Sequence, residues 1–215
     1  MFFDKANLDI KKLNFWELQN TIHLSLSEKE YPFLDDSITL NKAYFSTVHE
    51  NAINIFEDLF SHTDSIKLVQ VVYSYNTPYR KTNIIKKFTS LSIEELSYFK
   101  EYLKVNDDTA LCDEFAYHCS IKDIKYKKLL KAIANQDFKG LVPNINQDYN
   151  FSEIYILNRT KNLLYHLYDD RGLWVAFNNN EDFLRFSKKY NHLILEIENE
   201  GVSHLRSGYI LFCIS

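Results

Sequence analysis

Residues 153–177 read EIYILNRTKNLLYHLYDDRGLWVAF, three apolar runs separated by two short polar breaks. The runs 153–158, 163–168 and 173–177 are rich in Ile, Leu, Tyr, Val and Phe, the residues that favour a pleated, buried surface. Arg159-Thr160-Lys161-Asn162 has hairpin length, and so has Asp169-Asp170-Arg171-Gly172, where Gly172 is expected to supply a positive φ. Asn178-Asn179-Asn180 then caps a helix running to Tyr190, with Glu181 and Asp182 in the first turn, where acids suit the helix dipole. Three meandering strands with a helix packed on them predict an α+β fold with a largely antiparallel sheet.

The rest of the chain extends this reading. Over residues 41–60 the apolar positions Phe45, Val48, Ala52, Phe56 and Leu59 recur at three- and four-residue steps, the stripe of an amphipathic helix capped by Asn41. Residues 66–75 are β-branched and aromatic on both faces, as an inner strand should be, and Asn76-Thr77-Pro78 stops them. Ile22, Leu24 and Leu26 alternate and predict a further strand. Ile93, Leu96, Phe99 and Leu103 predict a helix over 92–104, followed by an acidic turn at Asn106-Asp107-Asp108 and a strand over 111–121. A second clear helix covers 123–135, with Tyr126, Leu129, Leu130 and Ile133 inward and Lys122, Lys125, Lys127, Lys128 and Lys131 on its solvated side. No repeat or Pro/Gly-rich linker divides residues 1–215, so one domain is expected.

Composition narrows the function classes. The 215 residues are 46% apolar and 25% charged, values of a globular protein rather than a disordered one. The longest uncharged stretch, residues 68–79, is far short of a membrane span, and no basic-then-apolar leader opens the chain, so a cytoplasmic protein is expected. Cys112, Cys119 and Cys213 lack metal or disulfide-scaffold spacing and read as free thiols. The net charge of −4 disfavours duplex nucleic acid as a ligand, since such binding rests on neutralising phosphates. Residues 1–60 hold five Lys against ten acids, an acidic lobe suited to steering a basic partner.

No nucleophile elbow, phosphate loop, dinucleotide fingerprint or His-Glu-x-x-His metal motif is present, so neither a metal nor a cofactor is expected. Asp169, Asp170 and Arg171 form the sharpest polar cluster, with His166 on the preceding strand. Together they would serve as acid, base and anion stabiliser in an enzyme. Turn chemistry explains the same three residues structurally, because turn acids bond local amides.

Residues 129–138 (LLKAIANQDF), followed by His166-Leu167-Tyr168-Asp169-Asp170-Arg171-Gly172, resemble a bacterial domain of unknown function, DUF3885. The helix ending IFEDLF at 55–60, the strand at Leu68 and residues 183–195 add to the resemblance, which covers about 41–200. Two departures stand out. Trp174 occupies a place where the family has an acid, and an apolar extension, 201–215, runs on through Gly208-Tyr209-Ile210-Leu211-Phe212-Cys213-Ile214. The resemblance implies a fold unit and no activity. By analogy with small acidic bacterial proteins encoded beside secreted toxins, the expected function is a non-enzymatic immunity protein that occludes a basic toxin domain. Asp35, Asp36, Glu57 and Asp58 are then the partner-binding acids. The alternatives are a small-substrate or metal-dependent enzyme at the Asp169 turn and a structural homo-oligomer assembled through the C-terminal extension.

Overall fold

The computed structural model describes residues 9–27, 31–74, 83–92, 95–105, 108–145 and 151–198. Among the described residues, eight strands form a single sheet: β1 (Thr21–Ser25), β2 (Ser65–Ser74), β3 (Leu96–Val105), β4 (Asp108–Ser120), β5 (Phe151–Asn158), β6 (Leu163–Leu167), β7 (Gly172–Phe177) and β8 (Ile194–Glu198). Their spatial order is β3-β4-β2-β5-β6-β7-β1-β8, and every described pairing is antiparallel. Among the described residues, three α-helices, α1 (Lys42–Leu59), α2 (Tyr126–Ala134) and α3 (Asn180–Lys189), cover one face. This is the expected α+β architecture. None of the described helices is long and apolar enough to cross a membrane.

The expected helix caps form. The Asn41 side chain accepts from the amides of Ala43 and Tyr44, and the Asn179 side chain accepts from Asp182. The stripe of α1 buries Tyr44, Phe45, Val48, Ala52, Ile55, Phe56 and Leu59. Beneath it, Ile66, Leu68 and Val72 of β2 face the helices, while Val69, Val71 and Tyr73 face the other way. That second face is covered by the segment carrying Ile10, Leu13, Phe15 and Leu18, which explains why β2 does not alternate with polar residues. Lys11 fastens the segment to the sheet, with its ammonium 2.7 Å from Glu101 of β3 and 3.0 Å from Glu114 of β4.

Two expectations are corrected. Residues 96–105 are strand β3, paired with β4 along their whole length. A helix would put Leu96, Phe99 and Leu103 on one side, whereas the strand sends Leu96 to the helix-side core and Leu103 to the opposite one. Tyr98, Phe99 and Tyr102 supply the β preference that the three-and-four spacing concealed. Gly172 does not have a positive φ; Gly140 (φ 101°) is the described glycine that does, and Asn162 (φ 57°) takes the left-handed place in the β5–β6 turn. A Cβ on Gly172 would instead lie 2.3 Å from the Leu24 carbonyl oxygen, so the requirement there is close approach of β1.

Cys112 and Cys119 are free, and burial pushes both thiols up to about 12. Cys213, the Asn76-Thr77-Pro78 stop, residues 106 and 107 of the acidic turn and the extension 201–215 lie outside the described residues.

Candidate functional site

The turn between β6 and β7 is built around its own acids. Asp169 accepts the Arg171 amide at 2.8 Å and the Arg171 Nε at 2.8 Å, with a further bond from the guanidinium terminus. Asp170 turns into the helix-side layer and accepts the Tyr44 hydroxyl of α1 at 2.6 Å. Both carboxylates are 3% exposed. Asp137, just past α2, brings a third: one oxygen from each of Asp137, Asp169 and Asp170 lies within 4.8 Å of the others. Burial, reinforced by the charges of Asp169 and Asp137 against the Tyr44 bond, pushes Asp170 up to about 6. Burial likewise raises Asp137, with help from Asp169.

His166 does not join this group. Its ring lies flat between Phe15 (5.4 Å) and Tyr155 (4.2 Å) on the second face, with Nδ1 3.1 Å from the Ile154 carbonyl oxygen, and burial lowers its pKa. The four residues of the enzyme reading therefore divide across the sheet. Asp137 and Tyr44 were not legible as neighbours of the turn, because each reaches it from an element remote in sequence. Three carboxylates at this spacing are donors for a hard divalent cation, but Arg171 already neutralises Asp169 and Tyr44 occupies Asp170.

The four acids expected at a partner face also separate. Glu57 accepts from Lys127 at 2.8 Å and from the Tyr126 hydroxyl at 2.7 Å, and these two bonds hold its pKa below the usual carboxylate range. Against the burial that opposes its ionisation, Lys189 and the Tyr190 hydroxyl do the same for Asp58. Both acids thus tie the end of α1 to its neighbours. Asp35 and Asp36 lie beyond the other end of that 18-residue helix, ~25 Å away at 1.5 Å per residue.

There the chain between Tyr31 and Leu40 folds into a tight, self-bonded loop. Phe33 bridges to Leu40, the Leu34 amide donates to the Thr39 carbonyl at 2.8 Å, and Ser37 takes a φ of 56°. Asp36 closes the turn by accepting the amides of Ile38 (2.9 Å) and Thr39 (2.7 Å) and the Thr39 hydroxyl, bonds that lower its pKa, the hydroxyl's most of all. Asn41 donates from its side chain to the Tyr31 carbonyl at 3.1 Å, and Phe33 packs on Phe138 with ring centroids 5.9 Å apart. The loop is held at both ends, yet it presents Tyr31 (75% exposed), Leu34 (49%) and Ile38 (82%) to solvent beside Asp35 and Asp36. The sequence signal for this was the run Tyr31-Pro32-Phe33-Leu34, apolar without helical or strand period and followed at once by acids. Asp137 lies next to Phe138, so its exposed carboxylate stands at the same end of the molecule.

The family model for DUF3885, a domain of unknown function, matches residues 4–198. The match takes in β1 and the covering segment as well as residues 41–198, and it ends with β8. The chain is also similar to an uncharacterized Bacillus subtilis (strain 168) protein, YnaE, at 26% identity over 185 residues, which is 81% of this chain and 85% of that one. No solved structure matches the chain.

Proposed function

The chain belongs to the DUF3885 family, and from its surface we propose that it is a non-enzymatic protein-binding protein, an immunity protein that covers a basic domain of a cognate secreted toxin. The Tyr31–Leu40 loop carries this reading: three large apolar side chains exposed on a loop already fixed by its own hydrogen bonds. Isolated exposed apolar residues are ordinary, but a cluster rimmed by acids on a preorganised loop is the anatomy of a docking surface. A loop fixed before contact loses little further entropy on binding. Asp35 and Asp36, with the acidic balance of residues 1–60, favour a basic partner and steer its approach.

The test is kinetic, using the purified basic domains encoded by the genes that neighbour this protein's own. Asp35→Lys is expected to slow association about 3–10-fold at low salt, with the difference shrinking at high salt. Leu34→Ala with Ile38→Ala is expected to speed dissociation tenfold or more while leaving association nearly unchanged. If a complex forms and neither variant alters its rates, the loop is not the interface; if none forms, the immunity reading fails.

One observation favours a second reading, an enzyme at the β6–β7 turn: the carboxylates of Asp137, Asp169 and Asp170 gather, with Asp170 pushed up to about 6. Asp170→Asn should leave toxin binding intact under the first reading and abolish any small-substrate turnover under the second.

A further inference from the structure

At the opposite end of α1 from the loop, a half-open cleft of about 320 Å³ runs between the end of α1, the β5–β6 turn and α3. Its size is at the lower limit of small-molecule sites. Leu59, Leu163, Phe177 and Phe186 form its floor, with the rings of Phe177 and Phe186 5.2 Å apart. Lys161, Arg185 and Lys189 stand around it, against two carboxylates, Asp58 and Asp182.

How those charges are bonded decides what the cleft can accept. The Asp58 carboxylate is taken by Lys189 and the Tyr190 hydroxyl. Lys161 is steadied by the Leu59 carbonyl at 2.9 Å, the Ser61 hydroxyl at 3.3 Å and the buried Asp64 carboxylate at 3.5 Å. Arg185 is 74% exposed and meets Asp182 one turn back through one terminal nitrogen. An exposed pair of this kind contributes little. Asp182 also accepts the Asn179 side chain at 2.6 Å and so stays held if the guanidinium turns away. A guanidinium offers five donors in a planar fork suited to two parallel bonds with a carboxylate or phosphate. The carboxylates are thus occupied by the protein, while Arg185 has donors to give.

We infer that this cleft binds a small organic anion, an apolar body lying on Leu59, Leu163, Phe177 and Phe186 with one carboxylate or phosphate bonded to Arg185 and flanked by Lys161. It stands apart from the Tyr31–Leu40 loop and does not depend on the function proposed for it.

Calorimetric titration of the full chain with octanoate and with phenyl phosphate tests the inference, with octylamine and inorganic phosphate as comparators. One or both organic anions are expected to bind one to one, and the tighter of the two identifies the head group. Arg185→Ala should weaken that binding at least tenfold and Arg185→Lys less, while Lys42→Ala, on the exposed start of α1, should leave it unchanged. Arg185 is exposed, so its variants are expected to keep the parent melting temperature. Failure of both organic anions to bind, equal binding of octylamine, or an Arg185→Ala variant with parental affinity overturns the inference.

Discussion

His23, half-buried, and Asp170, buried, are two titratable groups whose pKa shifts act on stability in opposite senses. Burial lowers His23 to about 4, where it stacks on Trp174 at 4.0 Å and meets the Tyr168 hydroxyl at 2.8 Å. Between pH 6.5 and about 4 the unfolded chain holds a proton at His23 that the native chain does not, so stability falls as pH falls through this window. His166, also buried and lowered, adds in the same sense. Asp170 is raised from 3.8 to about 6, so there the native chain holds the extra proton and acidification favours it. His23→Phe is therefore expected to flatten the acid side of a urea-midpoint profile, at a cost of about 1 kcal/mol near pH 7 for the lost hydroxyl partner. Asp170→Asn should steepen that side. Parallel profiles for the His23 variant and the parent would refute the assignment. Gly172→Ala is expected to cost about 3 kcal/mol in urea unfolding, because the new methyl meets the Leu24 backbone carbonyl, which cannot swing aside, as well as the Tyr168 ring. The sequence marked Gly172 as constrained, but only the tertiary arrangement tells a close approach from a turn conformation.

Among the elements, α1 is joined to the Tyr31–Leu40 loop at its N-cap. Asn41 caps the helix with its side-chain oxygen and holds the Tyr31 carbonyl with its side-chain nitrogen. Asn41→Ala is expected to lower stability by about 1 kcal/mol and, under the proposed function, to speed partner dissociation beyond what that loss explains. The covering segment of residues 10–18 makes a different prediction. Burial opposes the charge of Lys11, yet Glu101 and Glu114 hold its pKa above the ordinary lysine value. Lys11→Ala leaves those two acids with only Lys67, 3.8 Å from Glu114, to offset them, and about 2 kcal/mol of stability should go, part of it restored by adding Glu114→Gln. Full additivity of the two changes would show that Lys11 and Glu114 do not communicate. Helices α1, α2 and α3 and the strands of residues 151–177 were legible because their periodicity and turn residues are local. β3 was not, because its apolar spacing fits a helix and only pairing with β4 decides.

For the molecule as a whole, the order of strands was the least legible feature. The alternation of Ile22, Leu24 and Leu26 foretold a strand, but nothing in it says that β1 lies between β7 and β8. That placement interlocks the first described strand with the last two, so the sheet should unfold as a single unit. Fluorescence of Trp16 and Trp174, which sit together beside His23, should follow the same denaturant curve as far-ultraviolet circular dichroism. Two separated midpoints would divide the sheet into independently stable parts.

The slot that receives β1 also sets a timetable for biosynthesis. Roughly 150 residues separate Ser25 from Gly172, its partner across the ladder, so at ~5–20 residues per second the ribosome delivers the two about 7–30 s apart. Throughout that interval Ile22 and Leu24, destined for complete burial, have no neighbouring strand to pair with. Nascent chains stalled before residue 172 should be cut readily by protease and held by chaperones, and only those with 198 residues clear of the exit tunnel should become resistant. Completion of the sheet therefore waits on the emergence of β7 and β8, and a product truncated before them is bound for degradation rather than for partial function.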